Sequence, residues 1–180
     1  SYSSMKALVL LGKLGGIVYV VKAFVAHCTN AEYIAEYFAM RDYVAGRTNV
    51  YYYMENNKLQ DPFFSQVFKP LLREEVKRRG MLDIRGDETK KTDKATRIEA
   101  VLEPLVREGL LLFNEEESHN PYMQELVNQF SLFDGQLKYC ADGPDAVEGG
   151  VSMIAKKERE LSPILTSSLS HLRATNRRGW

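Results

Sequence analysis

The chain has 180 residues and a mass of 20.6 kDa, which fits one domain with its own apolar core. Apolar residues make up 44% and charged residues 27%, and Lys+Arg equals Asp+Glu at 24 each. That balance excludes a uniformly basic nucleic-acid coat but leaves room for a local basic face. Cys28 and Cys140 cannot staple a chain of this length, and with His27, His119 and His171 scattered they give no zinc spacing. Both cysteines are expected as reduced, small core residues of a cytoplasmic protein. No apolar run reaches the ~18 residues of a membrane span. The opening Ser1-Tyr2-Ser3-Ser4 carries no secretory signal, and without an initiator Met the chain reads as an internal piece of something longer.

Met5 to Lys13 is Leu- and Val-rich, Leu14-Gly15-Gly16 reads as a hairpin turn, and Ile17 to Ala26 is a second strand apolar enough to be covered on both faces. Thr29 or Asn30 caps a helix with Tyr33, Ile34, Tyr37, Phe38 and Val44 on one stripe, stopped by Gly46. Val50 to Met54 is a short aromatic strand that delivers Glu55, followed by Asn56-Asn57. Asp61-Pro62 opens a helix carrying Phe64, Val67, Phe68, Leu71, Leu72 and Val76, which Pro70 kinks or splits. Met81 to Arg85 is a weak strand, and 86–91 a polar loop. Thr92 or Asp93 opens a helix through Ile98, Leu102 and Leu105 that ends at Gly109, and Leu110 to Phe113 is a last short strand. Glu115 to His119 is a loop, and Asn120-Pro121 caps a helix with Met123, Leu126, Val127 and Phe130. A final helix starts near Pro144 and carries Ala146, Val147, Val151 and Ile154. The Ser/Thr/Arg-rich stretch 161–180 reads as a loose tail behind a domain of residues 1–160. Helices alternating with short strands predict an α/β fold with a mixed sheet.

Three features bear on chemistry. Glu55 follows a buried strand at the edge of the sheet where ligands of open α/β folds gather; it is either a ligand or the polar residue where a strand meets water. Asp142-Gly143-Pro144-Asp145 places acids at a helix start, either as ordinary caps or as hard oxygen donors. Together these acids suit Mg²⁺ or Mn²⁺ rather than zinc, and a pair of such ions ~3.5–4 Å apart is the usual apparatus of phosphodiester hydrolysis. The third feature is a modest basic excess between Lys69 and Arg97, with Lys77, Arg78, Lys90, Lys91, Lys94 and Arg97 as candidate phosphate contacts or simply a solvated face. Gly12-Lys13 lacks the rest of a phosphate loop, so the chain has no ATP site, and no Ser/His/Asp or Cys/His set is arguable.

Four stretches in this order resemble the C-terminal nuclease domain of the tailed-phage terminase large subunit: Met5 to Thr29 with its Thr29-Asn30-Ala31-Glu32 helix start, Tyr51 to Asp61 around Glu55, Lys91 to Gly109, and Asp142 to Ala146. The resemblance covers roughly residues 5–155. It implies an RNase H-like mixed sheet flanked by helices, two-metal cleavage of duplex DNA, and a portal protein and small terminase subunit as partners in a bacterial cytoplasm. It further implies that Glu55 and Asp142 or Asp145 are catalytic metal carboxylates and that Lys94 and Arg97 face DNA or support the site. The chain departs from the family in two places. The family's first carboxylate lies on a strand before Met5, whereas here no acid precedes Glu32; and Ala141 stands where the family pairs two aspartates. The first strand is therefore expected to be missing, and this piece is expected to bind metal weakly and cut little. Another RNase H-like nuclease such as a junction resolvase, or a non-catalytic DNA- or portal-docking prophage remnant, is the alternative.

Overall fold

A computed structural model describes residues 4–55, 64–87, 92–135 and 138–175. Among these residues it is a mixed α/β fold. Strands β1 (Ser4–Leu14) and β2 (Ile17–Cys28) lead into helix α1 (Asn30–Val44) and strand β3 (Tyr52–Glu55). A π-turn (Phe64–Phe68) opens directly into α2 (Lys69–Arg79), followed by β4 (Ile84–Asp87), α3 (Lys94–Arg107) and β5 (Leu111–Phe113). A 3₁₀ turn (Glu115–Glu117), α4 (Pro121–Leu132) and α5 (Asp142–Thr175) complete the order.

The hairpin forms as the glycines predict. Gly15 and Gly16 both take positive φ, 57° and 86°, the geometry of a two-residue turn whose twist matches antiparallel strands. The ladder then carries a bulge: Leu10 pairs with Lys22 and Leu11 with Val20, so Val21 is the extra residue. The bulge shifts the side-chain alternation by one. Val18 and Val20 before it, and Ala23 and Val25 after it, consequently all enter one core.

Both faces of β2 are buried, as its continuous apolar run requires. One face packs with Met5, Ala7, Val9 and Leu11 of β1 against Ile98 and Leu102 of α3, Met123 and Leu126 of α4, and Val147 of α5. The other sets Leu8, Phe24 and Cys28 against Ile34, Tyr37 and Phe38 of α1, Phe68, Met54 of β3 and Ile84 of β4. Helix α1 starts on a reciprocal capping box. Thr29 Oγ1 accepts the Glu32 amide at 3.3 Å, and Glu32 Oε2 accepts the Thr29 amide at 2.7 Å. The Thr29 amide, with the Thr29 hydroxyl donating to the same oxygen at 2.8 Å, holds the Glu32 carboxyl below its ordinary pKa.

The sheet differs from the expected single one. β2 pairs antiparallel with β1 and parallel with β5, giving a mixed three-stranded sheet, while β3 and β4 form a separate parallel pair. Both short strands also begin two to three residues later than their propensity suggests and end one to two later, so Glu55 and Asp87 are strand residues. Helix α1 ends at Val44, two residues before Gly46, with Ala45 itself in the left-handed region at φ 51° and donating its amide to Arg41 O at 3.0 Å. Pro70 sits in the first turn of α2, where its missing N–H costs nothing. Beyond residue 160, helix α5 continues to Thr175. Cys28 is buried, but Cys140 is exposed and therefore not a core residue. Asn56, Asn57, Asp61 and Pro62 lie outside the described residues. No helix among the described residues is long and apolar enough to cross a membrane.

Candidate functional site

Helix α5 begins at Asp142, two residues earlier than Pro144 alone suggests, with the Asp145 amide donating to Ala141 O at 3.0 Å. Two glycines let this helix close on its neighbours. A Cβ on Gly143 would stand 2.6 Å from Leu126 Cδ1, and one on Gly150 2.5 Å from Leu11 Cδ1. They are seven residues apart, so they share a face. The buried Gln129 of α4 fixes the start, its Oε1 accepting the Gly143 amide at 2.8 Å while its Nε2 donates to Glu125 at 2.8 Å.

Along the first two turns of α5, Asp142, Asp145 and Glu148 follow at three-residue steps and face Lys94 and Arg97, also three apart, at the start of α3. Lys94 Nζ lies 2.9 Å from Asp142 Oδ1 and 3.6 Å from Asp145 Oδ2. Arg97 forks between two carboxylates: Nη2 donates to Asp145 Oδ1, and Nε donates to Glu148 Oε2 at 2.7 Å. Its third edge, Nη1, reaches Thr92 O at 3.3 Å. Glu148 is 3% exposed and also accepts the Ser152 hydroxyl at 2.7 Å. Burial works against the charged form of Lys94, but the hydrogen bond and charge of Asp142, with those of Asp145, outweigh it and raise its pKa. For Arg97, burial is likewise outweighed by Glu148 and Asp145. The Cys140 thiol donates to Asp142 Oδ2 at 3.1 Å, and partial desolvation raises its pKa.

Glu55 ends β3 in register with Asp87 at the end of β4, Glu55 exposed and Asp87 buried. Contacts along α5 show how this pair relates to the helix start. α5 crosses Leu11 at Gly150, and Glu158 pairs with Lys13 at 2.7 Å, so the helix tracks β1 in the same sense. Asp142, two turns before Gly150, consequently lies toward the beginning of β1. β3 starts near the far end of this path, where Lys157 sits 5.3 Å over the Tyr51 ring. The strand runs back to Tyr53, whose carbonyl accepts from Tyr37 at 2.9 Å. Tyr37 in turn lies 3.5 Å from Tyr33 Oη, which donates to Ala7 O at 3.1 Å. Glu55 adds to the forces that raise the Tyr33 pKa, behind burial and Cys28. The contacts of α5 and of β3 are thus both traced along β1, while no direct contact joins Glu55 to Asp142 or Asp145 among those described.

The structure gathers Asp142 and Asp145 and leaves Glu55 with Asp87. The donors fit a divalent cation in kind, being hard oxygens, but not in number. Among the described residues no three His, Cys, Asp or Glu side chains are placed to hold a metal ion, and the two helix-start acids already face Lys94 and Arg97. Of the basic candidates, Lys94 and Arg97 support the acids. Lys77 and Arg78 are exposed on α2 and paired with Glu74 and Glu75, and Lys90 and Lys91 lie outside the described residues. Glu148 was not among the sequence candidates. The signal for it was the matching three-residue steps of 142, 145, 148 and of 94, 97, which put acids and bases on facing helix stripes. A cavity of about 420 Å³ between Arg41, Tyr51, Tyr52, Met81 and Arg85 lies at the opposite, N-terminal end of β3 and β4, away from these acids. No known family model matches the chain, and no curated protein is significantly similar to it.

Proposed function

We propose that the chain is an RNase H-like nuclease domain of a phage or prophage terminase large subunit, whose parent protein cuts concatemeric duplex DNA. What supports this reading is that Glu55 closes a strand and that Asp142 and Asp145 open a helix packed on β1, and the proposal takes these two acid groups to share one end of β1. Strand-end and helix-start acids that share one rim are a suitable frame for hard cations, Mg²⁺ or Mn²⁺, once a further carboxylate stands between them.

The divided sheet supports the RNase H-like form. The hydroxyls of Tyr33 and Tyr37 connect Ala7 of β1 to Tyr53 of β3 through contacts of 3.1, 3.5 and 2.9 Å in series. That path sets an upper limit on the separation of the two carbonyls, one that matches the two spacings, roughly 9.5 Å, of strands that flank a third. One strand laid between β1 and β3 would merge the two sheets and deliver its end residue between Glu55 and Asp142. On this reading duplex DNA is the substrate, the portal protein and small terminase subunit are partners, and the bacterial cytoplasm is the setting. The pairing of Asp142 and Asp145 with Lys94 and Arg97 favours a second reading for the isolated chain, a DNA- or portal-docking module without cleavage. A symmetric dimer that cuts branched DNA would instead indicate a junction resolvase.

Plasmid cleavage in Mn²⁺ decides between them. The 180-residue chain alone is expected to nick little. A longer chain that adds a strand ending in Asp before Ser1 is expected to cut, and Glu55→Ala is expected to lower that rate at least ~100-fold, about 2.7 kcal/mol of barrier. An unchanged rate removes Glu55 from the mechanism.

A further inference from the structure

We propose that Glu148 is a positioning residue: acting through Arg97, it fixes the carboxylate of Asp145. The inference rests on reading Asp145 as a residue of the site. Glu148 is 3% exposed and Arg97 14%, and neither reaches the rim as Asp142 does. The Arg97 guanidinium is planar, so its donors share one orientation. With Nε on Glu148 Oε2 and Nη1 on Thr92 O, Nη2 points one way, to Asp145 Oδ1. Ser152, one turn further along α5, holds Glu148 from behind by donating to Oε1 at 2.7 Å. The chain of contacts from Ser152 through Glu148 and Arg97 to Asp145 thus fixes a partly exposed carboxylate from a buried anchor. Without Glu148, the guanidinium loses the shortest of its anchors apart from Asp145 itself, and Asp145 can move with it or turn fully onto Lys94, already 3.6 Å away.

A plain clamp between α3 and α5 would not need this chemistry. Ile98 and Val147, next in sequence to Arg97 and Glu148, are fully buried apolar residues. Well-packed apolar side chains commonly replace a buried ion pair at no loss of stability. That equivalence supplies the test. In the isotopically labelled 180-residue chain, three-bond couplings report the χ1 rotamer of Asp145. The wild-type chain is expected to show one rotamer and Glu148→Met an average over several. A single, unchanged rotamer in Glu148→Met overturns the proposal. Because Glu148→Met strands a buried cation and can fail to fold, the double variant Arg97→Met/Glu148→Met is measured beside it. A native-like melting temperature with an averaged Asp145 rotamer supports positioning, whereas a native-like rotamer in the double variant shows a structural clamp and overturns it. None of these readouts uses DNA or metal. A protein that never cuts DNA therefore removes the nuclease reading and leaves the placement of Asp145 standing.

Discussion

The two acid groups are held in opposite ways. Asp142 and Asp145 stand at a helix start that glycine contacts press onto α4 and β1, and two cations neutralise them. Glu55 closes a four-residue strand of a two-stranded sheet and is exposed. The first group is organised before any ligand arrives, by charges within the chain. The second is placed at a strand end by its register with β4 and lies close enough to Tyr33 to act on its hydroxyl. Where helix contacts and ion pairs both act, several elements fix the geometry together; where a four-residue strand ends, the register with its partner strand carries more of it.

The largest expected effect separates the two groups by stability. Arg97→Met leaves Glu148 buried without its cation and is expected to cost about 3 kcal/mol, since removing one partner of a buried pair strands the other. Glu55→Ala is expected to stay within about 0.5 kcal/mol, as for a surface change. Urea unfolding of both variants measures the difference, and equal losses would erase the contrast. A smaller effect concerns pH. The Lys94 pKa is raised in the folded chain, so its contribution is complete at neutral pH, up to the ordinary lysine value, and is lost only as pH climbs through the raised one. Lys94→Met is expected to remove that alkaline decline; on the acid limb, the part that belongs to Glu32, whose lowered pKa gives stability lost as pH falls below the ordinary glutamate value, is expected to stay. Melting temperatures from neutral to strongly alkaline solution check it, and an unchanged alkaline limb would show that the acids at α5 are held by other means.

Much of the scaffold was legible because local chemistry decides it. The glycine pair at 15 and 16 makes the hairpin, Thr29 with Glu32 starts α1, Asp93 caps α3 through Thr96, and Asn120-Pro121 opens α4. The division of the sheet was not legible, because β3 and β4 are four residues each and their partners are chosen by tertiary packing rather than propensity. Ala45 in the left-handed region and the bulge at Val21 likewise follow from the fold around them. In the site, Glu55, Asp142 and Asp145 could be singled out because each is an acid at the end or start of an element. That Lys94 and Arg97 turn inward to these acids was foreseen only as one of two options, and Glu148, looking like one more helical acid, required the facing stripe of α3 to be noticed.

The account stands on the helix-start acids and the strand-end glutamate sharing one rim. Paramagnetic broadening by Mn²⁺ in the labelled chain tests this directly, because it detects even weak occupancy. The amides of Met54 and Glu55 and those of Asp142 to Asp145 are expected to broaden together at the same Mn²⁺ concentration. Broadening of one group while the other stays sharp would place the acids on separate surfaces and contradict the account.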